Sequence, residues 1–311
     1  LDGKVALVTG GSRGISKGIA LQLAEAGAKV YITGRKHQNH TKTLPRLENT
    51  ADEIRKRGGE CVVAHCDHSE PKQVEELFRK IASENASTLD ILVNSAFAGN
   101  PVNIERNGGR KFYECDPLFW DEVNNVGLRN VYICCVYGGR LMAAKHRGVI
   151  INISSAGAIQ YFFNVPYGVG KAAVDRMSAD IAFELKNVGV TAVSLWPGTV
   201  KTETSKDLIY SGKFTSIAMK MYESGETPEF VGRAVVALAS DTSIQKKSGK
   251  VLLTGDLCKE YGFTDIDGKV PANMRSLKSA LEFFGYSKAA NWVPPFLNIP
   301  SVALHLSTYK F

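Results

Sequence analysis

Metal-binding and disulfide patterns are missing from this chain of 311 residues. Its six cysteines include no CxxC pair and no Cys/His cluster at zinc-like spacing, which excludes a zinc module and argues against a secreted disulfide scaffold. Cys134 and Cys135 are adjacent in an apolar stretch, suited to packing, and fit a reducing compartment. Long basic runs are also missing: the net charge of +7 and isoelectric point near 9.0 come from scattered lysines and arginines. That pattern excludes nucleic acid as the expected partner and favours an anionic small ligand. No apolar run approaches the roughly 18 uninterrupted residues of a membrane-spanning helix. What the chain does have is a 44% apolar share, ample for the core of one α/β unit with an appendage.

The candidate chemistry lies in residues 150–171, IINISSAGAIQYFFNVPYGVGK. On a helix, Tyr167 and Lys171 lie one turn apart and share the same space. A nearby ammonium is expected to lower the phenol by about one to three pKa units from its usual value near 10, so that Tyr167 exchanges protons near neutral pH. Ser155 follows the β-type residues Val149, Ile150, Ile151 and Ile153, which places its hydroxyl at a strand end, able to bond a substrate oxygen. A Tyr and a Lys four apart are common in helices, so this pair needs support from the rest of the chain.

Near the start, the apolar run at 5–8, the turn TGGSRGIS and the helical pattern Ile19, Ala20, Leu23, Ala24 read as strand, glycine turn and helix. Gly10 and Gly14 allow a close backbone approach to a pyrophosphate at the helix N-terminus, and Ser12, Arg13 and Ile15 belong to the same expected cofactor turn. This stretch resembles the TGxxxGxG turn of the short-chain dehydrogenase/reductase family, with Ser16 where a third glycine is usual. The resemblance implies a doubly wound parallel α/β sheet of Rossmann type. The second strand ends in Gly34 and Arg35 with no acid to bond a ribose 2′-hydroxyl. Arg35, Arg13 and Lys36 suit a 2′-phosphate instead, so NADP(H) is expected over NAD(H).

Further matches follow in order, over roughly residues 3 to 255. In the family an Asp at the position of Asp67 contacts the adenine, and a turn beginning at Asn94 supports sheet and cofactor; both residues also read as ordinary turn formers. Ser95 and Phe97 depart from the usual NNAG of that turn. Seven residues after Trp120 the family places an Asn that holds a water linking the lysine to solvent. Gly127 stands there, and water at the glycine backbone is expected to substitute, so that Gly127→Asn retains or raises turnover. By the same resemblance Ser155 clamps the substrate, Tyr167 donates the proton and Lys171 lowers the phenol pKa and binds the ribose. In PGTVKT, Gly198, Val200 and Thr202 face the nicotinamide.

On the substrate side, Tyr161, Phe162 and Phe163 form either one wall of an apolar pocket or local packing. Residues 1–261 are expected to form the main domain, with a substrate lid at 199–226, and residues 262–311 an extension. The extension is apolar but broken by Pro294, Pro295 and Pro300; it is expected to dock on the domain or on a second subunit, or to lie on a membrane surface. Helices near 116–142 and 167–187 resemble the family's dimer face, although their apolar stripes equally suit the core. GDLCKEYG and the ending LSTYKF resemble a branch of the family linked to the endoplasmic reticulum and to reduction of carbonyl compounds, including steroids and xenobiotics. The expectation is therefore an NADPH-dependent reductase of apolar ketones or aldehydes on the cytoplasmic side, without a spanning helix or a metal. The alternative is an NADP(H)-binding sensor or scaffold with little turnover.

Overall fold

The structure is a computed structural model that describes residues 1–36, 45–98, 110–210, 216–278, 281, 286–294 and 297–300. Seven strands form one parallel sheet: β1 (Val5–Val8), β2 (Lys29–Gly34), β3 (Glu60–His65), β4 (Ile91–Asn94), β5 (Gly148–Ile153), β6 (Val190–Trp196) and β7 (Val251–Leu253). Their order is β3-β2-β1-β4-β5-β6-β7. Each parallel pair needs a crossover, which the helices supply. They are α1 (Gly14–Glu25), α2 (Leu47–Lys56), α3 (Pro71–Glu84), α4 (Phe119–Asn124), α5 (Asn130–Ala144), α6 (Val165–Leu185), α7 (Glu203–Ile209), α8 (Ser216–Glu223), α9 (Pro228–Ser240), α10 (Thr254–Tyr261) and the short α11 (Ser287–Ala290). Strand order reverses between β1 and β4, where such sheets open a ligand crevice at the carboxyl ends of the strands. This is the doubly wound architecture expected from the sequence.

Side chains alternate across the sheet. Ala6, Val8, Val30, Ile32 and Val93 pack with α1, α2 and α9, while Leu7, Tyr31, Leu92 and Ile150 pack with α3 and α5. Because both faces are covered, the central strands are almost continuously apolar. On the first face, α1 and α9 meet backbone to backbone. A Cβ on Gly18 would lie 2.2 Å from the Pro228 carbonyl, and one on Gly232 would lie 2.5 Å from the Gly18 oxygen. This contact fixes the helix that carries the glycine turn.

One helix differs from the sequence reading. The long helix expected from Asp116 starts at Phe119, because Asp116 Oδ1 accepts from the Leu118 N–H at 2.9 Å in a preceding turn. A π-helical turn, Asn125–Arg129, then separates α4 from α5. The stretch 199–226, where a lid is expected, contains α7 and α8, and β7 gives way directly to α10 at Thr254.

Part of the extension is tied to the main body. Arg275 Nη1 pairs with Asp256 Oδ2 at 2.6 Å, and Asn273 Nδ2 donates to Asp256 Oδ1 at 2.9 Å. Asp265 accepts from the Thr227 N–H at 2.8 Å. The LSTYKF ending and residues 99–109 lie outside the described residues. Among the described residues no helix is long and apolar enough to cross a membrane.

Since Gly18 faces backbone rather than a yielding side chain, Gly18→Ala should lower the unfolding free energy by about 2 kcal/mol, within the usual range for overpacking. Chemical denaturation measures it, and an unchanged midpoint would contradict the close contact.

Candidate active site

Ser155, Tyr167 and Lys171 converge at the carboxyl end of β5. Ser155 lies two residues beyond that strand and caps a single 3-10 turn, its Oγ accepting from the Gly157 N–H at 3.1 Å. Tyr167 lies in the first turn of α6, where Asn164 Oδ1 accepts from its N–H at 2.9 Å. This cap and Pro166 at the helix start set where α6 begins, and so where the phenol stands. Ser155 Oγ and Tyr167 Oη are hydrogen-bonded at 2.8 Å. One turn further along, the Lys171 amine lies 5.9 Å from the Tyr167 ring centroid and donates to the Ile153 carbonyl at 3.0 Å.

The electrostatics correct one expectation. Burial raises the Tyr167 phenol above its ordinary value, opposed by the Ser155 hydrogen bond. The amine does not reverse this, since burial lowers Lys171 itself to about 8 and Asp175 only partly restores it. Asp175 follows Lys171 by four residues, a helical spacing that could have flagged it. Its carboxyl is raised by burial, against hydrogen bonds from the Ser194 hydroxyl and from Trp196 Nε1 at 3.1 Å. Tyr167, Lys171 and Asp175 thus form a ladder along one helix face.

At the other end of the crevice, Gly10 and Gly14 adopt φ values of 79° and 57°. A Cβ on Gly10 would lie 2.9 Å from Ala96 Cα, so glycine is required there on both counts. The Gly10 N–H donates to Thr33 Oγ1 at 3.2 Å, and Thr33 Oγ1 bonds His68 Nε2 at 2.6 Å, bracing the turn from below. Ser12 supplies a carbonyl to the Thr50 hydroxyl at 3.3 Å, and Ile15 packs against the core. Ser16 does not face a ligand: its hydroxyl donates to Ser95 Oγ at 2.8 Å, so two departures from the family pattern pair with each other. Arg13 and Arg35 make no ion pair with any described residue, and Arg35 is exposed beside Asp67. Asp67 is held below the usual carboxylate range: burial opposes this, but Ser69 donates to it from backbone at 2.9 Å and hydroxyl at 2.7 Å.

The side chain of Asn94 is turned into the sheet, where it is 2% exposed. It is in register with Asn152, and the buried amide donates to Asn152 Oδ1 at 2.8 Å and to Cys135 Sγ at 3.3 Å. Asn152 continues the chain to the Ser178 hydroxyl at 2.9 Å, so Asn94 fastens β4 to β5 and α6.

After β6, the segment 198–202 crosses in front of the glycine turn. Val200 is 9% exposed and belongs to the core, so only its backbone is available to a ligand. Thr202 Oγ1 caps α7 by accepting from the Ser205 N–H at 3.1 Å. Glu203 Oε2 accepts from the Gly14 N–H at 3.0 Å, and this carboxylate is a stand-in anion at the start of α1, which shows that the turn fits a phosphate. Behind the segment lies Glu226, which belongs to no motif. It is 2% exposed, accepts from the Thr254 hydroxyl at 2.8 Å, and its backbone bonds both Thr199 and Lys201 at 2.9 Å. Burial pushes its carboxyl up to about 8.

Aromatic rings flank the phenol. Phe163 and Phe97 meet Tyr167 edge to face at centroid distances of 5.1 and 5.9 Å. Phe163 has a left-handed φ of 59°, a strained state for a bulky residue. Phe97 also covers Gly127, where a Cβ would lie 2.9 Å from ring atoms Cδ2 and Cε2. The ring therefore occupies the space beside Gly127, and an Asn there would require the exposed Phe97 ring to shift.

The chain is similar to known proteins in sequence and fold. The profile described as short chain dehydrogenase matches residues 4–210, and the chain belongs to the short-chain dehydrogenase/reductase family, a family of oxidoreductases. Over its full length it is 44% identical to human Dehydrogenase/reductase SDR family member 1, covering 99% of that protein. It is also 31% identical to NADPH-dependent aldehyde reductase 2, chloroplastic, of Arabidopsis thaliana, over 83% of this chain and 94% of that one. A putative 2-deoxy-D-gluconate 3-dehydrogenase from Agrobacterium tumefaciens, solved with bound NADP, matches with a TM-score of 0.67 at 26% identity, over 81% of this chain and 95% of that one.

The Glu226 shift has a definite sign. A carboxyl raised in the folded state contributes most below its unfolded value of about 4.5, and that contribution is lost as pH rises through about 8. Glu226→Gln should therefore gain stability relative to the parent between pH 5 and 8, on the order of 4 kcal/mol at most. Denaturant melts at several pH values test this; a constant difference would contradict it.

Proposed function

We propose that this protein is an NADP(H)-dependent reductase of ketone or aldehyde carbonyls on apolar small molecules, with steroid-like and xenobiotic compounds as the substrate class. The observation that carries the reading is the Ser155–Tyr167 hydrogen bond of 2.8 Å at the carboxyl edge of the sheet, with Lys171 one turn away. Two hydroxyls so close converge on one substrate oxygen. Ser155 holds that oxygen by hydrogen bonding, and Tyr167, kept protonated by burial, delivers its proton there as charge develops. Lys171, with a titration point of about 8, can hold or release a proton near working pH and offers its amine to the cofactor ribose. The nicotinamide, when bound, supplies the hydride.

The glycine turn and the segment 198–202 would hold the cofactor, with Asp67 toward the adenine. Support for NADP(H) comes from Arg13 and Arg35, which lack ion-pair partners among the described residues, and from the lack of an acid at the end of β2. The NADP bound in the Agrobacterium protein and the printed name of the Arabidopsis relative agree. Support for an apolar substrate comes from Phe97 and Phe163, which flank the phenol and are 40% and 50% exposed, and from Tyr161, 71% exposed, beside Phe163. The rival reading of a sensor without turnover rests on Ser16 and Gly127, and both are accommodated, Ser16 by Ser95 and Gly127 by Phe97. We also propose a homodimer through α5 and α6, which expose Tyr132 and Phe183, and a peripheral association with the endoplasmic reticulum through the extension, which rests on the branch resemblance.

Tyr167→Phe should lower kcat at least a thousandfold with a panel of ketones while NADPH affinity by fluorescence titration stays within about threefold; retained turnover would refute the assignment. Arg35→Asp should weaken NADPH at least tenfold and leave NADH unchanged or tighter, and equal losses for both would refute the 2′-phosphate role.

A further inference from the structure

We infer that Phe97 and Gly127 act as one positioning unit: the missing side chain at 127 makes room for the ring, and the ring holds Tyr167 and Lys171 in place while shielding the amine from water. The inference rests on the reading of Tyr167 and Lys171 as the reacting pair, although its first test does not require turnover.

Among the described residues, three contacts of the ring bear on the site. Its neighbour Tyr167 is met at 82° between ring planes. The Lys171 amine lies 5.3 Å from the Phe97 centroid, within reach of a cation–π attraction. On its remaining side, Cδ2 and Cε2 occupy the space that any side chain at 127 would enter. Gly127 itself lies in the π-helical turn between α4 and α5, a local distortion often found at functional sites.

Among the described residues Lys171 has a short set of neighbours. The titratable groups facing it there are Tyr167 and Asp175, both on α6, and Asp175 is occupied by Ser194 and Trp196 on β6. β5 contributes the Ile153 carbonyl, the loop after β4 contributes the Phe97 ring, and the helical turn beyond contributes a glycine without a side chain. The amine donates one hydrogen bond to a carbonyl and presents itself to a π face. The Phe97 ring is thus a positioning residue, acting through the two groups that it touches.

The test measures the titration of Lys171 in the cofactor-free protein by competitive acetylation and peptide mass spectrometry. Phe97→Leu keeps the site dry but removes the π face, and should move the titration down by about half a pH unit or more. Phe97→Ala admits water and should move it up by a similar amount, with Lys171 acetylated several times faster. Gly127→Ala, which displaces the ring, should move it up as Phe97→Ala does, and the double variant should add nothing further. Shifts smaller than these in both Phe97 variants, or additive effects at the two positions, would overturn the inference. Phe97→Leu alone decides if the alanine variants fail to fold, because it preserves most of the packed volume. In turnover, the pH limb of kcat/KM should move with the labelling result. If the labelling shifts appear while Tyr167→Phe keeps full turnover, the catalytic reading fails and the packing unit stands.

Discussion

The amine of Lys171 is drawn below the carboxyl edge of the sheet, and much of the surrounding structure answers to it. A cation in such a place loses hydration and must recover it from fixed dipoles or opposite charge. The Ile153 carbonyl provides the first, and Asp175, one turn along the same helix, provides the second. Asp175 is in turn stabilised by Ser194 and Trp196, which explains polar hydrogen-bonding groups at the end of the otherwise apolar strand β6. The long helix α6 is therefore fastened at several levels, by Asn164 at its start, by Asp175 against β6 and by Ser178 to the Asn94–Asn152 pair.

A second support lies behind the segment that follows β6. Glu226 is buried against Gly198, where a Cβ would come within 3.0 Å of its carboxyl, and its backbone brackets residues 199 and 201. The neighbouring Thr227 is held by Asp265, beyond the last strand. Residues of the extension thus contact the elements that carry one wall of the crevice, although they lie far from it in sequence.

The sequence made the sheet, the glycine turn and the Ser155, Tyr167 and Lys171 constellation legible, because each depends on local pattern: apolar runs, glycine at fixed intervals and helical spacing of four. Arg35 was equally readable, since it occupies a strand end where an acid would be conspicuous. What local pattern could not show were contacts between distant positions. Ser16 and Ser95 are 79 residues apart and each, taken singly, is an unexplained departure. The direction of the Asn94 side chain depends on its register with β5, which no local pattern reveals. The phenol's shift was misjudged because spacing shows that Lys171 is near, while only coordinates show that burial outweighs it. Glu226 sits in a polar stretch, ESGET, that gives no hint of a fully buried acid.

The Ser16–Ser95 bond also bears on how the chain can change over generations. Glycine at 16 alone would leave the half-buried Ser95 hydroxyl without this partner, a loss of about 1 kcal/mol. Changing 95 alone would strand the other hydroxyl in the same way. The two positions are therefore coupled: a change at either one alone costs more than a matched change at both, so they behave as a single inherited unit.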